Sequence, residues 1–185
     1  MNTEHDAFCS SPEWAARLAE EVIPWGLADF PLTGHVLELG AGFGASTTCL
    51  MTMTSNLTLL EANPVLVAGL RDRFPALDVR HGDATAIALP DSSIDTVVCF
   101  TMLHHVSPEA AQDRLFSEVA RVLRPAGWFA GTDSLASDNL RDFHQGDIYE
   151  PLDPQTLKQR LLAAGFRDAT VEHTDRRLRW RARTR

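Results

Sequence analysis

Three alternate glycines, two strand-end carboxylates and three histidines are the residues of this chain whose types and spacing could do chemistry. Gly40, Gly42 and Gly44 follow directly on Val36-Leu37-Glu38-Leu39, a short apolar run broken by one acid. The run reads as a buried strand. Glycines at its carboxyl end let the main chain take positive φ and approach a ligand with no Cβ in the way. Glu61 closes a second run, Leu57-Thr58-Leu59-Leu60, at the place where nucleotide-type βαβ units keep a ribose-binding acid. Asp83 follows Gly82 at the end of a third run. Glu38 is odd inside its strand, because a lone buried carboxylate is costly. His104 and His105 stand just beyond a fourth run ending in Phe100 and Thr101, and His144 lies in a polar stretch with Asp147 and Tyr149. Histidine is the natural base near neutral pH, although adjacent histidines can equally be structural.

Three ligand classes use such a glycine loop. A mononucleotide phosphate loop needs a lysine after the glycines; the single lysine here is Lys158, which excludes it. A dinucleotide loop needs GxGxxG or GxGxxA. The stretch from Gly40 to Ala45 satisfies the looser form and Glu61 the ribose position, so this motif alone leaves nicotinamide cofactors open. Against them, Tyr149 and Lys158 are nine residues apart and make no Tyr-x-x-x-Lys pair. The third class is S-adenosylmethionine.

The elements that must position these residues alternate between strand and helix. Ser11-Pro12-Glu13 starts a helix with Trp14, Leu18 and Val22 on one stripe, expected to end before Pro24. Strands are expected over 36–39, 57–61, 76–81, 94–100 and 127–132. Helices are expected over 45–53, over 64–74, from Ser107-Pro108-Glu109 to Pro125, and from Asp153-Pro154 to Gly165. Residues 134–152 read as a loop with one short helical turn; a loop that long is usually functional. Residues 169–173 and 177–183 are too close in sequence for a parallel crossover and read as an antiparallel hairpin. Alternation before the hairpin implies a parallel sheet.

A chain of 185 residues with 44% hydrophobic content can bury a proper core and is expected to form one domain. The net charge is −8, and six arginines fall in residues 176–185, so the rest of the chain is more acidic still. An acidic body argues against a nucleic-acid partner. Arg177, Arg179, Arg181 and Arg183 alternate with Leu178, Trp180 and Ala182; the expectation is one buried face and one solvated or salt-bridged face. The first nine residues carry Glu4 and Asp6 and no hydrophobic block, and no apolar run is long enough to span a bilayer. Cys9, Cys49 and Cys99 show no metal-type spacing. The expected setting is therefore cytoplasmic, with no membrane association. No metal site is expected either, since no helical or hairpin spacing groups the histidines with a carboxylate.

The chain resembles the class I S-adenosylmethionine-dependent methyltransferases, in particular the small type 11 family. The resemblance rests on Val36 to Gly44, on Glu61, on Gly82-Asp83-Ala84, and on Arg121-Val122-Leu123-Arg124-Pro125-Ala126-Gly127-Trp128. Ile94 to Val98 and Leu103 to Val106 fit the same family. It implies a Rossmann-like, doubly wound, mostly parallel seven-stranded sheet with a C-terminal antiparallel hairpin. The single domain would divide into an N-terminal helix and connector (1–34), a cofactor core (35–133) and an acceptor-side segment (134–185). The implied cofactor is S-adenosylmethionine, held by Gly40, Ala41, Gly42, Gly44, Glu61, Ala62, Asp83 and Ala84. Glu61 would accept the ribose hydroxyls and Asp83 the adenine amino group, with the Ala84 N–H reading the ring. Glu38 would lie near the methionine ammonium, directly or through water, while Phe100 and Thr101 line the sulfonium region. His104, His105 and His144 are the candidate bases. The family's Asn-Pro-Pro-Tyr signature for exocyclic amines is missing, so the expected acceptor is a small molecule, with a second subunit (a homodimer) as one way to complete its site. A nicotinamide oxidoreductase and a non-catalytic binding protein of the same fold are the alternatives.

Overall fold

The computed structural model describes residues 2–30 and 32–185. Among them, the strands are β1 (Val36–Leu39), β2 (Leu57–Glu61), β3 (Asp78–His81), β4 (Ile94–Phe100), β5 (Leu123–Ser134), β6 (Asp168–His173) and β7 (Arg177–Arg183). They form one sheet in the order β3-β2-β1-β4-β5-β7-β6. β1 to β5 pair in parallel, and β7 runs antiparallel to both β5 and β6. This is the expected doubly wound sheet with its terminal hairpin. The chain leaves β1 toward β2 and β3, then returns to β4 on β1's other flank. The tips of β1 and β4 therefore border the switch point where such sheets bind ligands.

Both faces of the sheet are covered, which is why β1 and β2 are buried at every position. Alternate residues feed two cores. Leu37, Leu39, Val97, Cys99 and Phe129 pack against Leu115 and Val119 of α6 (Glu109–Val122) and Leu157 and Leu161 of α8 (Leu157–Ala163). On the other face, Val36, Leu59, Val98 and Ala130 meet Leu50 of α4 (Ala45–Leu50) and Val67 and Leu70 of α5 (Pro64–Arg73), together with Leu18, Val22 and Ile23 from the N-terminal helices.

That N-terminal segment departs from expectation. A first helix, α1 (Thr3–Cys9), was not signalled by any apolar stripe; Asn2 caps it, its side chain accepting from the His5 N–H at 2.8 Å. The next helix does not stop before Pro24. It runs as α2 (Pro12–Arg17), a π-helical turn (Leu18–Val22) and α3 (Ile23–Gly26). The Ile23 N–H reaches back five residues to the Leu18 carbonyl, so the ladder is already re-registered where Pro24 offers no N–H.

Other boundaries shift for local reasons. β3 begins at Asp78 rather than residue 76, because the Leu77 N–H closes a turn onto the Phe74 carbonyl at 3.0 Å. β5 begins at Leu123 and bends through Ala126, which has a φ of +63°. α4 ends at Leu50, short of residue 53. Pro108, not Ser107, is the N-cap of α6; the Ser107 hydroxyl donates to Glu150 at 3.1 Å. Asp153 caps a turn, accepting from Gln155 N–H at 2.8 Å, and α8 follows from Leu157. Within residues 134–152 the short helical turn is α7 (Asp138–Phe143), capped by Ser137.

The arginine face of β7 is only partly solvated. Arg177 pairs with Glu21 at 3.2 Å and Arg179 with Glu172 at 2.7 Å, as expected of a salt-bridged face. Yet Arg179 also donates to the Trp25 carbonyl at 2.6 Å and lies 5.0 Å over the Trp25 ring. Arg181 donates to the Ala28 carbonyl and lies 5.6 Å over Phe30. The guanidinium row thus clamps the N-terminal segment onto the face of the sheet through cation–π and carbonyl contacts.

Candidate active site

The glycine loop leaves β1 with Gly40, Gly42 and Gly44 all at positive φ. At Gly40 (φ +67°) a Cβ would meet Met102 Cγ at 2.3 Å, so a side chain there is excluded by packing. At Gly42 (φ +55°) a Cβ would meet only the Gly40 carbonyl oxygen, at 4.0 Å, and Gly42 lines a cavity. That cavity holds about 530 Å³, within the roughly 300–1,000 Å³ typical of small-ligand sites. Gly40, Ala41, Gly42, Glu61, Ala62, Asp83, Ala84, Phe100 and Thr101 all line it, as does His105. The tips of β1, β2, β3 and β4 thus bring together nearly all the cofactor residues predicted from sequence.

Glu61 binds the loop to the tip of β2. Its Oε2 accepts from the Gly42 N–H and its Oε1 from the Asn63 N–H, both at 2.9 Å. A carboxylate has about four lone-pair sites, so acceptor capacity remains for a diol beside these two bonds. Asp83 rims the same cavity and accepts from the Thr85 N–H at 2.7 Å, an Asx turn that fixes its carboxylate. A positive-φ glycine cradle next to a buried carboxylate with spare lone pairs fits the ribose and amino-acid parts of S-adenosylmethionine.

Two predicted residues stand apart from the cavity wall. Gly44 faces Phe74 and opens α4. Glu38 is 1% exposed and points into the α4 layer, where Ser46 and Thr47 donate one hydroxyl to each oxygen, Thr47 at 2.7 Å. Burial pushes its pKa up to about 7 against the pull of these hydroxyls, and the charge of Glu61 adds to the rise.

A second cavity, of about 610 Å³, opens on the other side of Thr101. Thr101 lines both, as do Cys9 and Trp14. It has a φ of +49° and donates its N–H to the Thr132 carbonyl at 2.8 Å, turning the chain sharply off β4. Positive φ at a non-glycine residue is costly and collects at functional sites.

His104 and His144 line this second cavity. His104 Nδ1 lies 2.6 Å from Asp133 Oδ1, and the His104 N–H donates to Oδ2 at 3.2 Å. Asp133 is fully buried and His104 nearly so. The carboxylate fixes the Nδ1–H tautomer, which leaves Nε2 as a proton acceptor. His105 and His144 are held neutral. Burial and the neighbouring imidazoles push His105 down to about 3, and burial is the main cause of the lowered pKa of His144. His144 Nδ1 donates to the Leu140 carbonyl at 2.7 Å.

Sequence reading missed His5. It comes from α1, is 3% exposed, and packs tilted against His105 at 4.9 Å and edge-on against His144 at 4.5 Å, centroid to centroid. Burial lowers its pKa as well. The only local signal was Asn2 as a helix cap, three residues upstream.

A Rossmann-like sheet of this order, with a glycine turn and a strand-end acid at its switch point, has the class I methyltransferase architecture. Residues 37–131, just over half of the chain, match the family model described as a methyltransferase domain, and the chain belongs to that S-adenosylmethionine-dependent family. A Mycolicibacterium smegmatis protein named "Probable S-adenosylmethionine-dependent methyltransferase" is 37% identical over 109 residues, which is 59% of this chain and 41% of that one. The chain spans half or less of the length of the curated relatives it matches. Among solved structures, the PH0226 protein from Pyrococcus horikoshii superposes with a TM-score of 0.80 at 16% identity, covering all of both chains. A SAM-dependent methyltransferase from Aquifex aeolicus gives 0.76 at 18% identity, again over all of both chains. These two likenesses concern the fold. Among the described residues no helix is long and apolar enough to cross a membrane.

Proposed function

We propose that the protein transfers a methyl group from S-adenosylmethionine in the first cavity to a small molecule in the second, with His104 as general base. The observation that carries this reading is the meeting of the two cavities at Thr101, with the His104–Asp133 pair lining the acceptor side. When bound, S-adenosylmethionine supplies an electrophilic methyl group open to in-line displacement. The protein's part is largely positioning, which can supply several kcal/mol of the barrier. Gly42 and Glu61 hold the nucleoside end, and Thr101 with Phe100 separates it from the acceptor side. His104 Nε2 takes the acceptor's proton where that acceptor is an alcohol, thiol or amine, and buried Asp133 stabilises the resulting imidazolium.

The acidic body and the limited volume of the second cavity, about 610 Å³, support a small acceptor over a polynucleotide. The test is methyl transfer from labelled S-adenosylmethionine into fractionated cell extract. Label is expected in the low-molecular-mass fraction, with the product identified by mass. Label confined to nucleic acid or protein, or no transfer at all, would refute the reading.

A further inference from the structure

We propose that His5, His105 and His144 bind a divalent transition-metal ion at the seam between the two cavities. No local spacing points to this, since α1, the turn after β4 and the C-cap of α7 each supply one ligand. One ring nitrogen of each histidine lies within 4.8 Å of one nitrogen of each of the others. The rings are packed together, with centroids 4.5 to 5.2 Å apart.

The surroundings of the three rings are those of metal-ligating histidines, which usually donate their second N–H to a carboxylate or carbonyl. His144 Nδ1 is 2.7 Å from the Leu140 carbonyl, His105 Nδ1 is 3.3 Å from the Ile148 carbonyl, and His5 Nδ1 is 3.3 Å from Asp147 Oδ2. Asp147 is itself fixed by the Asn2 N–H at 2.6 Å. Donation from His144 Nδ1 leaves its Nε2 as a lone pair. That Nε2 is buried and has no hydrogen-bond partner, and the residue is only 3% exposed. A cation held between the three rings would give it one. His104 touches the cluster at 4.1 Å from His105, but Asp133 already occupies its Nδ1 at 2.6 Å.

Three imidazoles without a carboxylate favour zinc or a neighbouring ion over magnesium or calcium. Three protein ligands also leave one coordination position, as in catalytic zinc sites. His105 lines the first cavity, while His5 and His144 line the second. An ion there could hold an oxygen, nitrogen or thiolate of an acceptor. The site can be tested apart from the methyl-transfer reading, since its ligands belong to neither the glycine turn nor the ribose-position acid, although His105 also borders the first cavity.

The experiment is a titration of tag-free, chelator-stripped protein with Co²⁺, followed by displacement with Zn²⁺. One cobalt per chain with visible d–d bands, lost on adding zinc, is expected. His144→Gln should weaken cobalt binding at least a hundredfold, and Asp147→Asn by about 10–100-fold, the usual range for an outer partner. No uptake at millimolar cobalt, or equal affinity and an unchanged spectrum in His144→Gln, would overturn the proposal. If the variants fail to fold, X-ray absorption at the zinc edge of the wild-type protein decides. Three imidazole nitrogens at about 2.0–2.1 Å support the site; a shell without them rules it out.

Discussion

Gly42 and Glu61 are joined by one hydrogen bond, from the main-chain N–H of the loop to Oε2 of the carboxylate, at 2.9 Å. It ties the tip of β1 to the tip of β2, so Glu61 also sets the curvature of the glycine turn. A change at either residue is felt at the other.

Glu61→Ala should therefore weaken S-adenosylmethionine binding at least tenfold in calorimetry. Each charge-assisted bond is worth roughly 1.5–3 kcal/mol, and about 1.4 kcal/mol is tenfold in affinity. An unchanged dissociation constant would remove the carboxylate from the site.

Alanine at Gly40 and at Gly42 should separate stability from binding. Both positions have positive φ, which costs an L-residue roughly 1–2 kcal/mol. At Gly40 the new methyl also collides with Met102, whereas at Gly42 it enters the cavity. Gly40→Ala is expected to lower the melting temperature more, and Gly42→Ala to lose more cofactor affinity than stability. Equal melting shifts would contradict this packing.

His104→Gln and Asp133→Asn should each lower kcat by about 100-fold or more, the lower end of what a positioned base contributes. Cofactor affinity should stay close to wild type, because neither residue lines the first cavity. Full turnover in His104→Gln would show that proton removal happens elsewhere.

Glu38 should leave a signature in the pH dependence of stability. Its pKa is raised in the folded protein to about 7, above its ordinary value of 4.5. Below the ordinary value both states hold the proton and its full stabilisation is present. Between the two values only the folded state does, and stability falls by about 1.4 kcal/mol per pH unit. The contribution is lost once pH passes the folded value. Urea unfolding of wild type and Glu38→Gln at pH 5 and pH 8 checks this; the wild type's advantage should shrink on going to pH 8.

Arg181→Ala should loosen the N-terminal segment by about 1–2 kcal/mol, through loss of the Phe30 contact and the bond to the Ala28 carbonyl. Faster hydrogen exchange in residues 12–30, with β1 unaffected, is the expected readout. Uniform loss of protection would mean the clamp is part of the global fold.

Much of the fold was legible because it depends on short-range pattern. The apolar runs ending in Leu39, Glu61 and Phe100, the glycine triplet and the terminal hairpin each carry their own local signal. The residues that line the first cavity share that legibility, since they sit at strand tips. Three things were not legible. Pro24 reads as a stop, and only the π-helical turn before it lets the helix continue. The arginines of β7 read as surface, because their partners Trp25, Ala28 and Phe30 come from the far end of the chain. The histidine cluster joins residues 5, 105 and 144, whose separations follow no local period; only the folded chain brings them together.

The clamp on residues 25–30 and the docking of α1 against α7, where the Asn2 amide donates to the Phe143 carbonyl at 2.9 Å, make residues 2–30 a strap across the second cavity, fastened at both ends. Cys9 and Trp14 of this strap border the first cavity as well as the second. Exchanging the strap for a foreign one would thus reshape both chambers at once while leaving the glycine turn and Glu61 on the sheet unaltered.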